Sequence, residues 1–262
     1  MRTLIFLLFC STVWIPTWGQ QYTFKHTSLP CLNKTFTIVV HVFPDSLGNL
    51  NMNESDVRKA VAEANAFFKP ICAQFEVCEF RYHQNWQYDT LRRPQQEIAE
   101  ITTKYNVERR INLYLVDSFS APYPLCGLAT LKGIQDPVSA FVLLSKRCIS
   151  ARAVARELGR FFGLLHTFEG NGDELVDGSN CTTAGDRICD TPADPYVLGE
   201  PLEAYVAPPC LFISNKRDAK GEYYTPDLGN IMSYYLCDTC GFTWEQLQVM
   251  AQNYLVSAVR FW

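Results

Sequence analysis

The sequence predicts an α+β protein: a twisted mixed sheet with packed helices, then an irregular region tied by disulfides, then a C-terminal helix. Three observations predict this order. Up to about residue 166, strand-like apolar runs alternate with segments of helical periodicity. From about residue 167, glycine, proline, aspartate and cysteine dominate. Residues 243–262 then carry apolar side chains at helical spacing to the end of the sequence.

The first elements follow from local patterns. The run TFTIVVHVF (35–43) is β-branched and aromatic with an apolar centre, which indicates a buried strand. Residues 54–70 show helical spacing, with Ser55 as the expected N-cap and Pro70 as the expected stop. Residues 74–82 alternate apolar and polar side chains, which is typical of a strand with one solvated face.

The remaining elements of the sheet region come in close succession. A helix is expected at about 94–105, and RINLYLVDSF (110–119) is expected to be a strand. CGLATLKGI (126–134) predicts a short edge strand, and AFVLLSKRC (140–148) another buried strand. The expected order is therefore β, α, β, α, β, β, β, followed by a helix that opens the next region.

The first 19 residues have the layout of a secretory signal peptide. Arg2 precedes the apolar run LIFLLFC, and the small residues Thr17 and Gly19 precede a candidate cleavage point. Residues 20–262 are expected to form a single domain, with an upper lobe at about 24–166 and a lower lobe at about 167–262. The protein is therefore expected to be secreted or extracellular.

Composition restricts the classes of partner. The formal net charge is −4, which gives no reason to expect nucleic acid as a partner. No segment approaches the roughly 20 apolar residues that a membrane-spanning helix needs, so no membrane span is expected. The oligomeric state is left open.

Ten cysteines follow the signal peptide, and an even set in an exported chain is read first as disulfides. CDTC (237–240) could instead be a redox or zinc pair, but no second CxxC or paired histidines accompany it. The disulfide candidates are Cys31, Cys72, Cys78, Cys126, Cys148, Cys181, Cys189, Cys210, Cys237 and Cys240.

The segment RELGRFFGLLH (156–166) has the frame of a zinc-peptidase helix. Such a helix places histidines at i and i+4 on one face and a glutamate between them, and a glycine then turns the chain towards a third histidine. Glu157, Gly163 and His166 match this pattern, but arginine occupies both helical ligand positions, at Arg156 and Arg160.

Longer runs carry a more specific resemblance. The run RELGRFFGLLHTFEGNGDELVDGSNCTTAGDRICDTPADP, together with YTPDLGNIMSYYLCDTCGFTWEQ, closely resembles the pappalysin family of metzincin zinc endopeptidases, particularly secreted bacterial members. FKPICAQFEVCEFRY and LCGLATLKGIQDP extend the resemblance over nearly the whole chain after the signal peptide. The loop GDRICDTPADP and the segment NIMSYY are more diagnostic than the helix.

The resemblance implies a metzincin-like two-lobed fold, with a sheet above a cleft and an active-site helix beneath it. It implies that Met232 is the methionine of the turn under the metal, and that Tyr234 assists the transition state. Glu157 would be the general base and His166 the third zinc ligand. The edge strand at residues 127–131 would pair with an extended peptide.

The two arginines conflict with zinc binding. A guanidinium has no available lone pair and stays protonated at any relevant pH, so Arg156 and Arg160 cannot ligate a metal. We therefore expect a degenerate zinc site without bound zinc, in a pseudoenzyme that binds peptide or protein in its cleft. The alternative is an active zinc endopeptidase of extracellular proteins, with substitute ligands. A purely structural extracellular module is a third class.

Charge at the helix suggests further roles. We expect Glu157 to form a salt bridge with one of the arginines and to stay ionised. The cleft floor is then cationic, which favours acidic ligands, and Arg152 either extends this stripe or belongs to the ordinary helix. Without the other ligands, His166 is expected to be a satisfied histidine where the lobes meet.

The loop at residues 169–194 is rich in carboxylates. Irregular loops rich in oxygen ligands are suited to calcium, and Asp186 and Asp190 are the candidate calcium ligands. The alternative is a solvated loop pinned by Cys181 and Cys189.

Overall fold

The structure is a computed structural model that describes residues 28–121, 125–235 and 237–261. The predicted signal peptide and His26 lie outside these residues. None of the helices among the described residues is both long enough and apolar enough to cross a membrane.

The described residues form nine strands and four α-helices, with short 3₁₀ turns between them. The strands are β1 (Lys34–Val42), β2 (Ala73–Tyr82), β3 (Thr90–Leu91), β4 (Ile111–Val116), β5 (Ser118–Phe119), β6 (Gly127–Ala129), β7 (Val142–Ser145), β8 (Val206–Ala207) and β9 (Leu211–Phe212). The helices are α1 (Glu54–Phe68), α2 (Pro94–Tyr105), α3 (Ala151–Phe161) and α4 (Trp244–Val256).

Five strands form one mixed sheet in the order β2-β1-β4-β7-β6. The first four are parallel to their neighbours, and β6 pairs antiparallel with β7 at the sheet edge. The predicted α+β class with a mixed sheet is therefore confirmed. The pairs β3-β5 and β8-β9, which the sequence did not predict, form separate two-stranded sheets.

Both faces of the sheet are covered. Along β4, Leu113 and Leu115 belong to the main core shared with α1, α3 and α4, while Tyr114 and Val116 face a second core that includes Ile101 of α2. Burial on both sides explains why every residue of β4 is buried and why five of its six residues are apolar.

The predicted N-cap of α1 was wrong, although the predicted range begins at residue 54, as the helix does. The helix begins after Asn53, whose backbone is extended and whose side chain donates to Asp56 Oδ2 at 3.2 Å. Ser55 lies inside the first turn, so it cannot cap the helix. The expected stop is close, since α1 ends at Phe68 and a 3₁₀ turn containing Pro70 follows.

Four disulfides join described residues: Cys31–Cys72, Cys126–Cys148, Cys181–Cys189 and Cys210–Cys237. The expectation that all ten cysteines pair was wrong for Cys78 and Cys240, which are free and exposed. Cys78 is the extra residue where the β1-β2 register shifts, and its thiol donates to Ile38 O at 3.3 Å. Cys237 pairs with Cys210, so CDTC forms no internal bridge.

Candidate functional site

Helix α3 carries the zinc-peptidase frame. Its N-cap is Ser150, whose Oγ accepts from the backbone N–H of Ala153 at 3.2 Å. At its end Gly163 has φ +105°, and an added Cβ there would lie 2.4 Å from Nδ2 of Asn253. A side chain at Gly163 is therefore excluded by both conformation and space, and the chain turns sharply towards His166.

Strand β6 passes directly over α3. A Cβ at Gly127 would lie 2.8 Å from Cγ of Glu157 and 2.8 Å from the carbonyl oxygen of Leu143. The missing side chain lets the edge strand approach the glutamate closely. One edge of β6 pairs with β7, and the described strands provide no partner for its other edge.

His166 lies against the segment that contains Met232. Its Nδ1 is 3.1 Å from Met232 O, and its ring stacks on Phe168 at a centroid distance of 5.0 Å. Burial, followed by the charges of Arg160 and Arg156, holds the pKa of His166 well below its usual value. A carbonyl oxygen can only accept, so Nδ1 carries the proton and Nε2 carries the lone pair.

Met232 is fully buried beneath α3. Its Sδ is 2.9 Å from the position that a Cβ would take on Gly159, so the helix and the methionine turn pack without an intervening side chain. The backbone N–H of Met232 donates to Asn230 Oδ1 at 2.8 Å, which fixes the turn. Tyr234, two residues on, packs edge to face against His166 at 4.9 Å.

Arg156 contacts both Glu157 and Tyr234. Its Nε lies 3.4 Å from Glu157 Oε1, and its Cζ lies 5.0 Å from the centre of the Tyr234 ring. The expected salt bridge is therefore present. Burial raises the pKa of Glu157, and the opposing effects of Arg156 and Arg160 are smaller.

Arg152 has a structural role. Its Nη1 donates to Cys237 O at 2.7 Å and its Nη2 donates to Asn230 O at 3.2 Å. These bonds tie α3 to the loop on both sides of Met232. Arg152 therefore belongs to the ordinary helix and does not extend a cationic stripe.

Arg160 and Glu157 face a cavity of about 500 Å³ between β6, α3 and the loops that follow α3. Arg160 Nη1 and Glu157 Oε2 are buried, and neither finds a hydrogen-bond partner among the described residues. The other lining residues are Leu125, Gly127, Leu128, His166, Phe168, Glu169, Gly170, Asn171, Val197, Leu198 and Tyr234.

The candidate calcium ligands are engaged elsewhere. Asp190 accepts from Thr243 Oγ1 at 2.6 Å and from the backbone N–H of Glu245 at 2.8 Å, at the start of α4. Asp186 Oδ1 accepts from the backbone N–H of Ile188 at 3.0 Å and from Thr191 Oγ1 at 2.9 Å. Within the described ranges, no three His, Cys, Asp or Glu side chains are arranged to hold a metal ion.

Sequence reasoning missed two buried carboxylates in this loop. Asp194 accepts from Thr167 Oγ1 at 2.7 Å and from Tyr235 OH at 2.7 Å, so it anchors the residue that follows His166. Glu174 is 3% exposed, and its Oε2 finds no partner in the described chain. Burial, followed by repulsion from Asp186, Asp173 and Asp194, raises the pKa of Glu174 to about 8.

The residues at the three ligand positions do not fit zinc. His166 offers one lone pair, while Arg156 and Arg160 offer none. A catalytic zinc site needs about three protein ligands and a water. His41 and His83 do not supply further zinc ligands, because they contact other groups. His41 Nδ1 lies 3.0 Å from His83 Nε2, and His41 Nε2 lies 3.0 Å from Asn112 Oδ1.

Comparisons with known proteins locate the fold. No family model matches the sequence, and no curated protein sequence matches it. The structure is similar to mature mirolysin of Tannerella forsythia in complex with a cleaved peptide, with a TM-score of 0.59 at 15% identity over 88% of this chain and 97% of that chain.

A second mirolysin structure, in complex with compound 9, gives a TM-score of 0.54 at 15% identity over 87% of this chain and 97% of that chain. At this level of identity the likeness concerns the fold alone. The chain therefore has the fold of mirolysin.

Proposed function

We propose that this chain is a secreted pappalysin-like peptidase-fold domain that binds peptide or protein in its cleft and does not carry out efficient zinc-dependent hydrolysis. The observation that carries the proposal is the pair of arginines, Arg156 and Arg160, at the two helical ligand positions of an otherwise complete frame. A guanidinium cannot donate a lone pair, so the metal that activates water in such enzymes has one ligand instead of three.

The cleft retains features that suit a peptide. The short edge strand β6 has one edge without a strand partner in the described chain and lies over the cavity that contains Glu157. An extended peptide adds to such an edge through main-chain hydrogen bonds, and its side chains enter neighbouring pockets. Mirolysin, which shares this fold, has been solved with a cleaved peptide, and this supports peptide binding as the retained property.

The residues of the chain explain why the cleft persists without the metal. Arg156 supplies a positive charge beside Glu157, and the carbonyl oxygen of Met232 accepts from His166. Arg152 and the buried Met232 join the helix to the lower loop without any ion. Glu157, when ionised, is held by Arg156 and has no activated water to deprotonate.

An extracellular location is part of the proposal. Four disulfides are typical of proteins that fold in an oxidising compartment. The signal peptide predicted at residues 1–19 agrees with this. We expect mass spectrometry of the secreted protein to place its N-terminus near residue 20.

Two experiments test the proposed loss of hydrolysis: zinc analysis of the purified protein, and variants with histidine at positions 156 and 160. We expect purified protein to contain no stoichiometric zinc and to cleave no member of a peptide library in a chelator-sensitive way. In the double variant R156H/R160H we expect zinc binding close to one per chain, because three imidazoles are then available. The single variant R156H is the matched control, and it is expected to bind zinc much more weakly.

Stoichiometric zinc in the unaltered protein, together with cleavage that a chelator abolishes, would establish the active endopeptidase instead. Absence of peptide binding in every assay would favour the structural module. These two outcomes separate the proposal from both alternatives.

A further inference from the structure

We infer that Arg160 is the anchor for a carboxylate group of the bound peptide, so that the cavity beneath β6 selects acidic or carboxyl-terminal segments. This inference rests on the proposed peptide-binding function and adds the chemical class of the ligand. It depends on how the three arginines of α3 differ in their contacts.

Two of the three arginines already have partners. The terminal nitrogens of Arg152 both donate to backbone carbonyls, which leaves only its Nε without a partner among the described residues. Arg156 lies against Glu157 and over the ring of Tyr234. Neither guanidinium lines the cavity.

Arg160 differs because it lines the cavity and because one of its terminal nitrogens is an unsatisfied donor. Its Nη1 is buried and finds no hydrogen-bond partner in the described part of the chain. Buried N–H groups of native proteins are nearly always satisfied, by protein, water or ligand. A bound group that accepts hydrogen bonds and enters the cavity would give the Arg160 guanidinium an acceptor that the described residues do not provide.

The charge of the site selects an anion. Arg160 lines the cavity and Arg156 lies beside Glu157, so two positive charges are close to the cavity, and Glu157 neutralises at most one of them. Glu169 also lines the cavity, but it is exposed, and its charge is therefore screened by solvent. The neutral His166 adds no charge.

The shape of the site favours a carboxylate among anions. A guanidinium and a carboxylate match as planar groups with two parallel hydrogen bonds. The cavity walls include apolar side chains of Leu128, Val197 and Leu198, which strengthen a charged hydrogen bond by excluding water. A peptide on β6 carries carboxylates from two sources, namely Asp or Glu side chains and its own C-terminus.

The experiment uses four libraries of decapeptides with otherwise random sequence. A central position is fixed as Glu or Gln, and each library is made with either a free C-terminal carboxylate or a C-terminal amide. Binding to the unaltered protein is measured by affinity capture and quantified for enriched peptides by fluorescence anisotropy. We expect carboxylate forms to bind about tenfold to a hundredfold more tightly than their neutral counterparts.

The variant R160Q is expected to lose this preference while neutral peptides bind as before. R160K, which keeps the charge without the planar fork, is expected to retain part of the preference, and it serves if R160Q does not fold. R92Q is the matched control, because exposed Arg92 lines a different cavity and its removal lowers the charge equally. Thermal unfolding verifies that each variant is folded.

The outcomes separate the two levels of proposal. Preference for the Glu libraries assigns Arg160 to an acidic side chain, and preference for free C-termini assigns it to the terminal carboxylate. Equal binding of carboxylate and neutral peptides, or an unchanged preference in folded R160Q, overturns the inference but leaves peptide binding in place. Failure of all four libraries to bind overturns both.

Discussion

Two buried glutamates lie in contrasting surroundings in this molecule. Glu157 on α3 is 2% exposed and has Arg156 and Arg160 as charged neighbours. Glu174, in the loop after α3, is 3% exposed and has Asp173, Asp186 and Asp194 as its charged neighbours. Each has one carboxylate oxygen without a partner among the described residues.

In both glutamates burial is the largest cause of a raised pKa, but the neighbouring charges act in opposite directions. The arginines lower the pKa of Glu157 against burial, whereas the aspartates raise that of Glu174 further. Arg156 and Arg160 stand where a zinc-peptidase helix carries histidine, and they keep one charge relationship of a metal site, a cation beside a buried carboxylate. They do so without its Lewis acidity.

Removal of Arg156 should have the largest effect on stability. In R156A the nearest cation of Glu157 is lost, and the free energy of unfolding should fall by about 3 kcal/mol at pH 7, since a buried carboxylate loses its partner. Urea unfolding measures the change. The double variant R156A/E157Q is the control and should recover most of the loss, because residue 157 then carries no charge that needs a partner. An equal loss in the double variant would mean that Arg156 acts through packing on Tyr234.

Glu174 should show the opposite case through its pH dependence. Its pKa is raised from 4.5 to about 8, so its stabilising contribution is complete below pH 4.5 and is lost as the pH rises towards 8. Between pH 5 and pH 7.5 this loss should amount to roughly 2–3 kcal/mol. E174Q should flatten the pH dependence of urea unfolding, measured with a chelator present.

The control for Glu174 is D177N, because Asp177 is an exposed carboxylate of the same loop that pairs with Lys220 at 2.7 Å. This change should leave the slope between pH 5 and pH 7.5 unaltered. A slope that persists in E174Q would show that another group produces it.

Local sequence patterns predicted the elements that position the site. The bounds expected for α2, 94–105, coincide with the helix, and the expected strands enclose or nearly match β1, β2, β4, β6 and β7. These elements are long or strongly patterned, so apolar periodicity determines them. The N-cap of α1 was misassigned because Asn53 and Ser55 both suit an N-cap, and only the backbone conformation distinguishes them.

The finer properties of the site depend on contacts between distant residues. The sequence places three arginines on one helix, but only the fold ties Arg152 to Asn230 and Cys237 and leaves Arg160 facing a cavity. Likewise, composition gives an acidic loop without revealing that Glu174 is buried and that Asp190 accepts from the start of α4. The even number of cysteines could not reveal that Cys78 lies at a register shift.

A buried base should show a pH dependence of stability opposite in sign to that of Glu174. His41 is fully buried in β1, and burial lowers its pKa to about 4. A lowered pKa makes protonation favour the unfolded chain, so stability should fall as the pH drops from about 6.5 towards 4. From pH 7 to pH 5 the expected loss is roughly 1–2 kcal/mol, and H41N should reduce it.

His83 has a pKa lowered similarly by burial, so H41N/H83N should reduce the loss further. If acid sensitivity persisted in the double variant, carboxylates that are hydrogen-bonded in the folded protein would be its cause, and the rule drawn from the two glutamates would not extend to buried bases.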